Sequence, residues 1–288
     1  MSMDVIMDAI MLGMIFAIMS FGVYISFRVL NIPDLTIDGS FTTGCAASVV
    51  CCVAGYPWLG VGMAFLAGGL AGVVTGILQT KGKIQPLLAG ILTMTALYSI
   101  NLKIMAGKPN ISTFGLTTVF TPFEGFGSYS KGILILIVLI VLIVLLYAFL
   151  KTQLGMSLRA TGDNEAMVRA SSINSDTMKI MGLALANAIV ALGGGIFAQY
   201  QNFADVSGGI GMMVVGLASI IVGEAFFRKK KLVFQFLAVI TGAIVYRFIL
   251  TIALQAGIAS TDLKLVSAAL VALAISVPQL MKRGNRHA

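Results

Sequence analysis

An all-α protein that crosses a membrane many times is the fold class this sequence predicts, on three observations. Of its 288 residues 58% are hydrophobic and only 10% charged, where an ordinary soluble domain carries roughly 25% charged residues. The apolar residues fall in runs of about 16 to 24, long enough at 1.5 Å per residue to reach across a hydrocarbon core about 30 Å thick. Short polar and basic stretches separate the runs. Helices are the expected form, because an open sheet edge leaves backbone groups unsatisfied in lipid.

Nine spans are expected. The first, 7–28, follows an acidic start, Met1 to Asp8, with neither Lys nor Arg before it and no small-residue cleavage site after it, so a cleaved signal peptide is not expected. The second, 40–55, holds Cys45, Cys51 and Cys52, which read as small buried side chains. In the third, 57–79, Gly68, Gly72 and Gly76 recur every four residues, a face that lets another backbone approach closely. The fourth is 85–105. A polar connection with Pro109 and Pro122 leads to the fifth, 131–150. After the polar segment 151–177 come the sixth, 178–200, the seventh, 211–227, the eighth, 232–254, and the ninth, 263–281. Glu224 reads as an interfacial ion-pair partner beside the Arg228 to Lys231 cluster, and Arg247 either snorkels out of its span or faces the bundle.

Orientation follows from the cations. Arg28, Lys81, Lys83, Lys151, Arg159, Arg169, Arg228 to Lys231, Lys282, Arg283 and Arg286 fall on one side if the N-terminus is outside and the C-terminus cytoplasmic, with Lys103 and Lys108 opposing. This is the positive-inside pattern of a multi-pass cell-membrane protein. The net charge of +8, spread over short loops, points to anionic lipid and not to nucleic acid.

Two segments share a pattern: Asn31, Asp34, Thr36 and Gly39 in one, Asn202, Asp205, Ser207 and Gly209 in the other. Each follows a full span and precedes a short one, and the two lie in opposite orientations. This is the form of an inverted-topology repeat, with a first unit over 7–150 and a second over 178–281 joined by the 151–177 segment. In such repeats short or broken helices mark the solute pathway, and Asp, Ser or Thr cap them. Asn31, Asp34, Thr36, Asp38, Asn202, Asp205 and Ser207 are therefore candidate pathway residues. Catalytic and metal-binding roles lack residues: the one histidine, His287, lies in the tail, and no span pairs carboxylates.

The inner segment carries the most specific signal. Asp163 or Asn164 can cap a short helix starting near Glu165, with Ala166, Met167 and Ala170 as its apolar face, a shape that fits a groove on a partner. The run Arg159-Ala-Thr-Gly162-Asp-Asn164-Glu165-Ala166, followed by Ile173-Asn174, resembles the cytoplasmic coupling loop of the ABC importer permeases for branched-chain amino acids, ribose-type sugars and nucleosides. It departs from that pattern at Met167, where Ala is usual, and at Ser172, where Gly is usual. Asp34-Leu-Thr-Ile-Asp38-Gly-Ser resembles the segment after the first helix of the sugar permeases, and the chain looks most like the branch linked to amino acids, aromatic ones included.

The resemblance implies a transport subunit without enzyme activity or cofactor. A pair of cytoplasmic ATPases would grip Arg159, Gly162, Asn164, Glu165, Ala166, Arg169, Ile173 and Asn174. An external solute-binding protein would deliver the solute, and a second permease copy would complete the pathway. The chain has no phosphate-cradling loop of its own, since Gly76 to Lys83 has the wrong spacing and is followed by Ile84. The alternative reading is an ion-coupled secondary transporter, which an inverted repeat also fits.

Overall fold

The computed structural model describes residues 3–126, 130–227 and 231–258, with 262, 265–269 and 272 beyond them. Among the described residues seven helices are long and apolar enough to cross a membrane. They are α1 (Met3–Tyr24, extended by a π-helical turn, Ile25–Val29), α2 (Thr36–Val53), α3 (Pro57–Thr80), α4 (Pro86–Ile104), α5 (Ser130–Lys151), α8 (Ser175–Gln201) and α10 (Leu232–Gln255). Between α5 and α8 lie α6 (Gln153–Asp163) and α7 (Glu165–Ala170), and α9 (Met212–Phe226) precedes α10. Eight of the nine expected spans thus have a helix. α9 has 15 residues, about 22 Å at 1.5 Å each, too short to cross alone. In place of the ninth, residues 265–269 are helical and most of 263–281 lies outside the described residues.

Burial orders the bundle. α1 is the central helix, with 89% of its apolar window buried, whereas α5, aliphatic on every side, has 22% buried and is suited to face lipid. α8 packs on α1, α2 and α3. The expected packing face of α3 is used there: a Cβ at Gly68, Gly72 or Gly76 would collide with α8 at Asn187, Leu183 or Ile180. The interior is therefore joined backbone to backbone as well as by side chains, the close approach small residues allow in membranes.

α8 also serves as a ruler for depth. Ser40 bonds Asn187 and Ser48 bonds the Gly195 carbonyl, so α2 runs parallel to α8 and starts level with Asn187. Asn187 is twelve residues into α8, about 18 Å from its first residue at 1.5 Å per residue. α9 runs the other way. Gly216 packs on Val23 and Gly22 packs on Ala186 and Val190, so α9 also begins near the middle of α8, and it ends where Glu224 pairs with Arg28 at the exit of α1. α2 and α9 thus both start near the middle of α8 and diverge.

Beyond the far end of α8, β1 (Asn110–Ser112) pairs antiparallel with β2 (Phe203–Asp205), Ile111 opposite Ala204. Gln199, buried, ties this end together. Its amide donates to Ser48 Oγ (2.8 Å) and the Pro57 carbonyl (2.9 Å), and its oxygen accepts from Val119 N–H (2.8 Å).

Candidate functional site

The segment between α5 and α8 folds as two capped helices. Thr152 caps α6 by accepting from Gly155 N–H (3.2 Å). The short helix expected near Glu165 is α7, and Asn164 caps it, its side-chain oxygen accepting from Met167 N–H (3.1 Å). Asn174 caps α8 by accepting from Asp176 and Thr177 N–H. Two of the three caps are thus the asparagines of the motif, placed where a side-chain oxygen satisfies N–H groups that a helix start leaves free.

Glu165 fastens α7 to α8. Its carboxylate accepts from Lys179 Nζ (2.7 Å), from Ser175 Oγ (3.1 Å) and from Arg169 (2.7 Å). The bond and charge of Lys179, with smaller help from Ser175 and Arg169, hold the Glu165 carboxyl below its ordinary value although burial opposes them. Gly162 lies against the end of α1, where a Cβ would collide with the Val29 carbonyl oxygen. Ser172 sits at φ +61°, the left-handed region that a glycine adopts without steric cost. The departure from Gly at this position therefore leaves the turn in place and puts a strained residue in it. Met167 is 54% exposed, Arg159 and Ala166 are exposed and Ile173 is half-exposed.

A cavity of about 320 Å³ opens between this segment and the bundle, lined by Asn31, Gln79, Thr161, Gly162, Glu165 and Lys179 among others. It separates the α6–α7 unit from the α3–α4 turn.

Deeper in, the candidate pathway residues divide. Asp34 and Thr36 are fully buried. Asp34 accepts from Thr36 N–H (2.9 Å) on one oxygen and from the Asn187 amide (2.7 Å) on the other, and Ser40 donates to Asn187 (2.7 Å). Thr36, Thr75 and Thr93 join hydroxyl to hydroxyl. A buried carboxylate with donors on both oxygens, at the start of a helix, has the partners that burial of a charge requires. These residues form a locked polar layer among α2, α3, α4 and α8.

The second segment repeats the local chemistry of the first. Asn31 and Asn202 both take the left-handed conformation, φ +55° and +59°, and Asp205 accepts from Ser207 N–H (2.6 Å) as Asp34 does from Thr36. The capping expected of the two acids holds for Asp34 alone. Asp205 lies seven residues before Met212, too far to cap α9. Asp38 takes that role from α2, accepting from Gly211 and Met213 N–H, each at 2.8 Å. Asn31 and Ser207 are exposed, and Asn202 and Asp205 half-buried.

Other expectations are refined. Glu224 pairs with Arg28, and Arg228 to Lys230 lie outside the described residues. Arg247 is half-buried, 5.6 Å above the Phe16 ring, so its charge turns inward onto α1. Among the described residues no group of His, Cys, Asp and Glu could hold a metal ion. Lys179, Asn187 and Gln199 went unread in the sequence. The available signal was three lone polar residues on one apolar span, which in a membrane must face a bundle interior or its end.

A family described as "Branched-chain amino acid transport system / permease component" matches residues 5–276. A tyrosine transport system permease protein of Clostridioides difficile (strain R20291) is 42% identical over 90% of this chain and 86% of the relative. An uncharacterised protein of Rickettsia prowazekii (strain Madrid E) is 33% identical over 95% and 98%. The ribose import permease protein RbsC of Escherichia coli (strain K12) is 26% identical over 85% and 76%. No solved structure matches. With most of each chain shared and the motif-bearing segments folded as capped helices, this chain belongs to the branched-chain amino acid permease family, and it is the membrane subunit of an ABC transport system whose ATP hydrolysis resides in a separate subunit.

Proposed function

We propose that the chain forms, with a second copy of itself, the pathway by which an amino acid with an aromatic side chain enters the cell. The substrate class rests on the likeness to the tyrosine permease. The mechanism rests on one observation: a single helix, α8, holds the coupling segment at its start through Lys179 and the N-terminus of α2 at its middle through Asn187. A displacement of α7 by a cytoplasmic ATPase pair is therefore delivered to mid-depth, where α2 and α9 begin. ATP enters the cycle as differential binding between two states of that bundle. The ATPases would meet the exposed faces of α6, with Arg159, and of α7, with Ala166 and Met167, while Glu165 acts inward as the fastener and Arg169 is shared between the two. The N-terminus lies outside, and an external solute-binding protein delivers the amino acid.

An inverted repeat is the organising symmetry of this reading. It is supported by the paired left-handed asparagines, the paired Asp turns and the two helices, α2 and α9, that start near the middle of α8 and run apart. Asn31, Asp34 and Thr36, with Asn202, Asp205 and Ser207, then flank the pathway from its two sides.

The test is reconstitution of the permease with its ATPase and binding protein in vesicles, with labelled tyrosine, leucine and ribose offered in turn. ATP-dependent uptake of tyrosine above the other two is the expected result. Uptake of ribose in its place would overturn the substrate, and tyrosine accumulation by the permease alone would overturn the mechanism.

A further inference from the structure

Two groups of helices are tightly joined within themselves, α1 packs closely against both, and α2 and α9 meet at a loose seam. α2 is pressed onto α8, with Gly44 against Ala191 and Gly194 against Phe41, and α3 is pressed onto α8 likewise. α9 is pressed onto α10, with Gly223 against Ala238 and Gly242 against Ser219. Contacts this close leave no room for sliding, since packed interiors shift between discrete arrangements and do not deform smoothly. Between α2 and α9 the packing is thin, and the bonds found there are polar. Asp38 accepts from Gly211 and Met213 N–H, and Thr42 Oγ1 accepts from Gly209 N–H (3.1 Å).

We propose that Asp38 is a positioning residue that works as a latch: it joins the two groups in the present state and releases the N-terminus of α9 in the other state of the transport cycle. The carboxylate holds α9 by the two N–H groups that a helix start leaves free, where its negative charge also meets the positive end of the helix. Such bonds re-form readily, unlike glycine-to-backbone packing. A hinge stands beside them. Gly211 has φ +93°, and Gly209, held against the Asp38 carbonyl and Thr42, stays with α2 while the first turn of α9, before Gly216 meets Val23 of α1, moves about Gly211. The α2 side of the latch is tied to the coupling segment through Asp34, Asn187 and α8, so a push on α7 bears on this seam. The inference rests on the importer reading given above.

Hydrogen exchange of the complete transporter in nanodiscs tests it. Backbone amides of 209–215 are compared in the nucleotide-free complex and in the ATP-bound complex with a hydrolysis-deficient ATPase. At least a tenfold change in exchange between the two states, with 216–226 little changed, is expected. Asp38→Asn, which keeps one acceptor oxygen, is expected to expose the segment in both states, to lower uptake several-fold and to raise ATP hydrolysis without transport, and Asp38→Glu to recover part of the uptake. A purely structural cap would give equal exchange in both states. That result, on a preparation that shows ATP-driven uptake, overturns the latch alone. A preparation in which ATP drives no uptake overturns the importer reading and the latch with it.

Discussion

Asp34 is the residue whose environment is most demanding. Its two oxygens are the acceptors for Thr36 N–H and for the Asn187 amide, all inside the protein. Asp34→Ala should therefore strand two buried donors, at about 1–3 kcal/mol for each, seen as a lower unfolding midpoint in detergent. Asp34→Asn keeps the Thr36 bond but sets two amide groups face to face. The double variant Asp34→Asn with Asn187→Asp restores a donor opposite an acceptor but loses the bond from Asn187 to the Leu183 carbonyl (2.9 Å), and should regain part of the lost stability. Failure of the double variant to exceed Asp34→Asn, although it restores both the bond and the net charge, would mean that the other contacts of Asn187, with the Leu183 carbonyl and Ser40, decide the stability here. At Ser172 the left-handed φ predicts the opposite sign: Ser172→Gly should be neutral or stabilising by up to about 1 kcal/mol, and Ser172→Val clearly destabilising, in the same melts. The sequence motif flags this position by its departure from Gly. It gives no hint of Asn187, because a lone polar residue in a span does not name its partner.

At the scale of elements, the helices were readable because each apolar run has one environment, lipid or core, along most of its length. α6 was not, since it is a surface helix whose apolar face, Gly155, Leu158 and Thr161, is short and mixed. The depth at which α2 and α9 begin was also hidden, for it is set by where they contact α8 and not by their own residues. The fastening of α7 to α8 makes a prediction of its own. Because Lys179 lowers the Glu165 carboxyl below its ordinary 4.5, the bond contributes fully above that value and is lost as pH falls through the lower folded-state value. ATP-coupled uptake should thus be insensitive to this group at neutral pH. Glu165→Gln should act at all pH values by freeing α7 from α8. In a double-mutant cycle Glu165→Gln with Lys179→Met should show a coupling no larger than about 1 kcal/mol, as solvent screens a pair this exposed. The ATP hydrolysis rate should nevertheless separate from uptake by several-fold, since fastening, and not stability, is what is removed.

For the whole molecule the decisive quantity is which way it faces. The end of the bundle at which α8 begins gathers Arg28, Lys81, Lys83, Lys151, Arg159, Arg169 and Lys179, while the end with β1 and β2 carries Lys103, Lys108 and Lys131. Basic residues near span ends favour the cytoplasm, so the α7 end should lie inside, where ATPases can reach it. Single cysteines in a background with Cys45, Cys51 and Cys52 replaced by alanine give a direct reading. Phe114, 87% exposed in the connection between α4 and α5, should as Phe114→Cys react with a membrane-impermeant thiol reagent added to intact cells. Lys81→Cys, in the exposed turn after α3, should react only once the cells are permeabilised. Nearly full labelling at one position and little at the other is expected. The reverse pattern would place Glu165 and the whole α6–α7 unit outside the cell, beyond any ATPase, and α7 could then no longer be the part of this protein on which ATP acts.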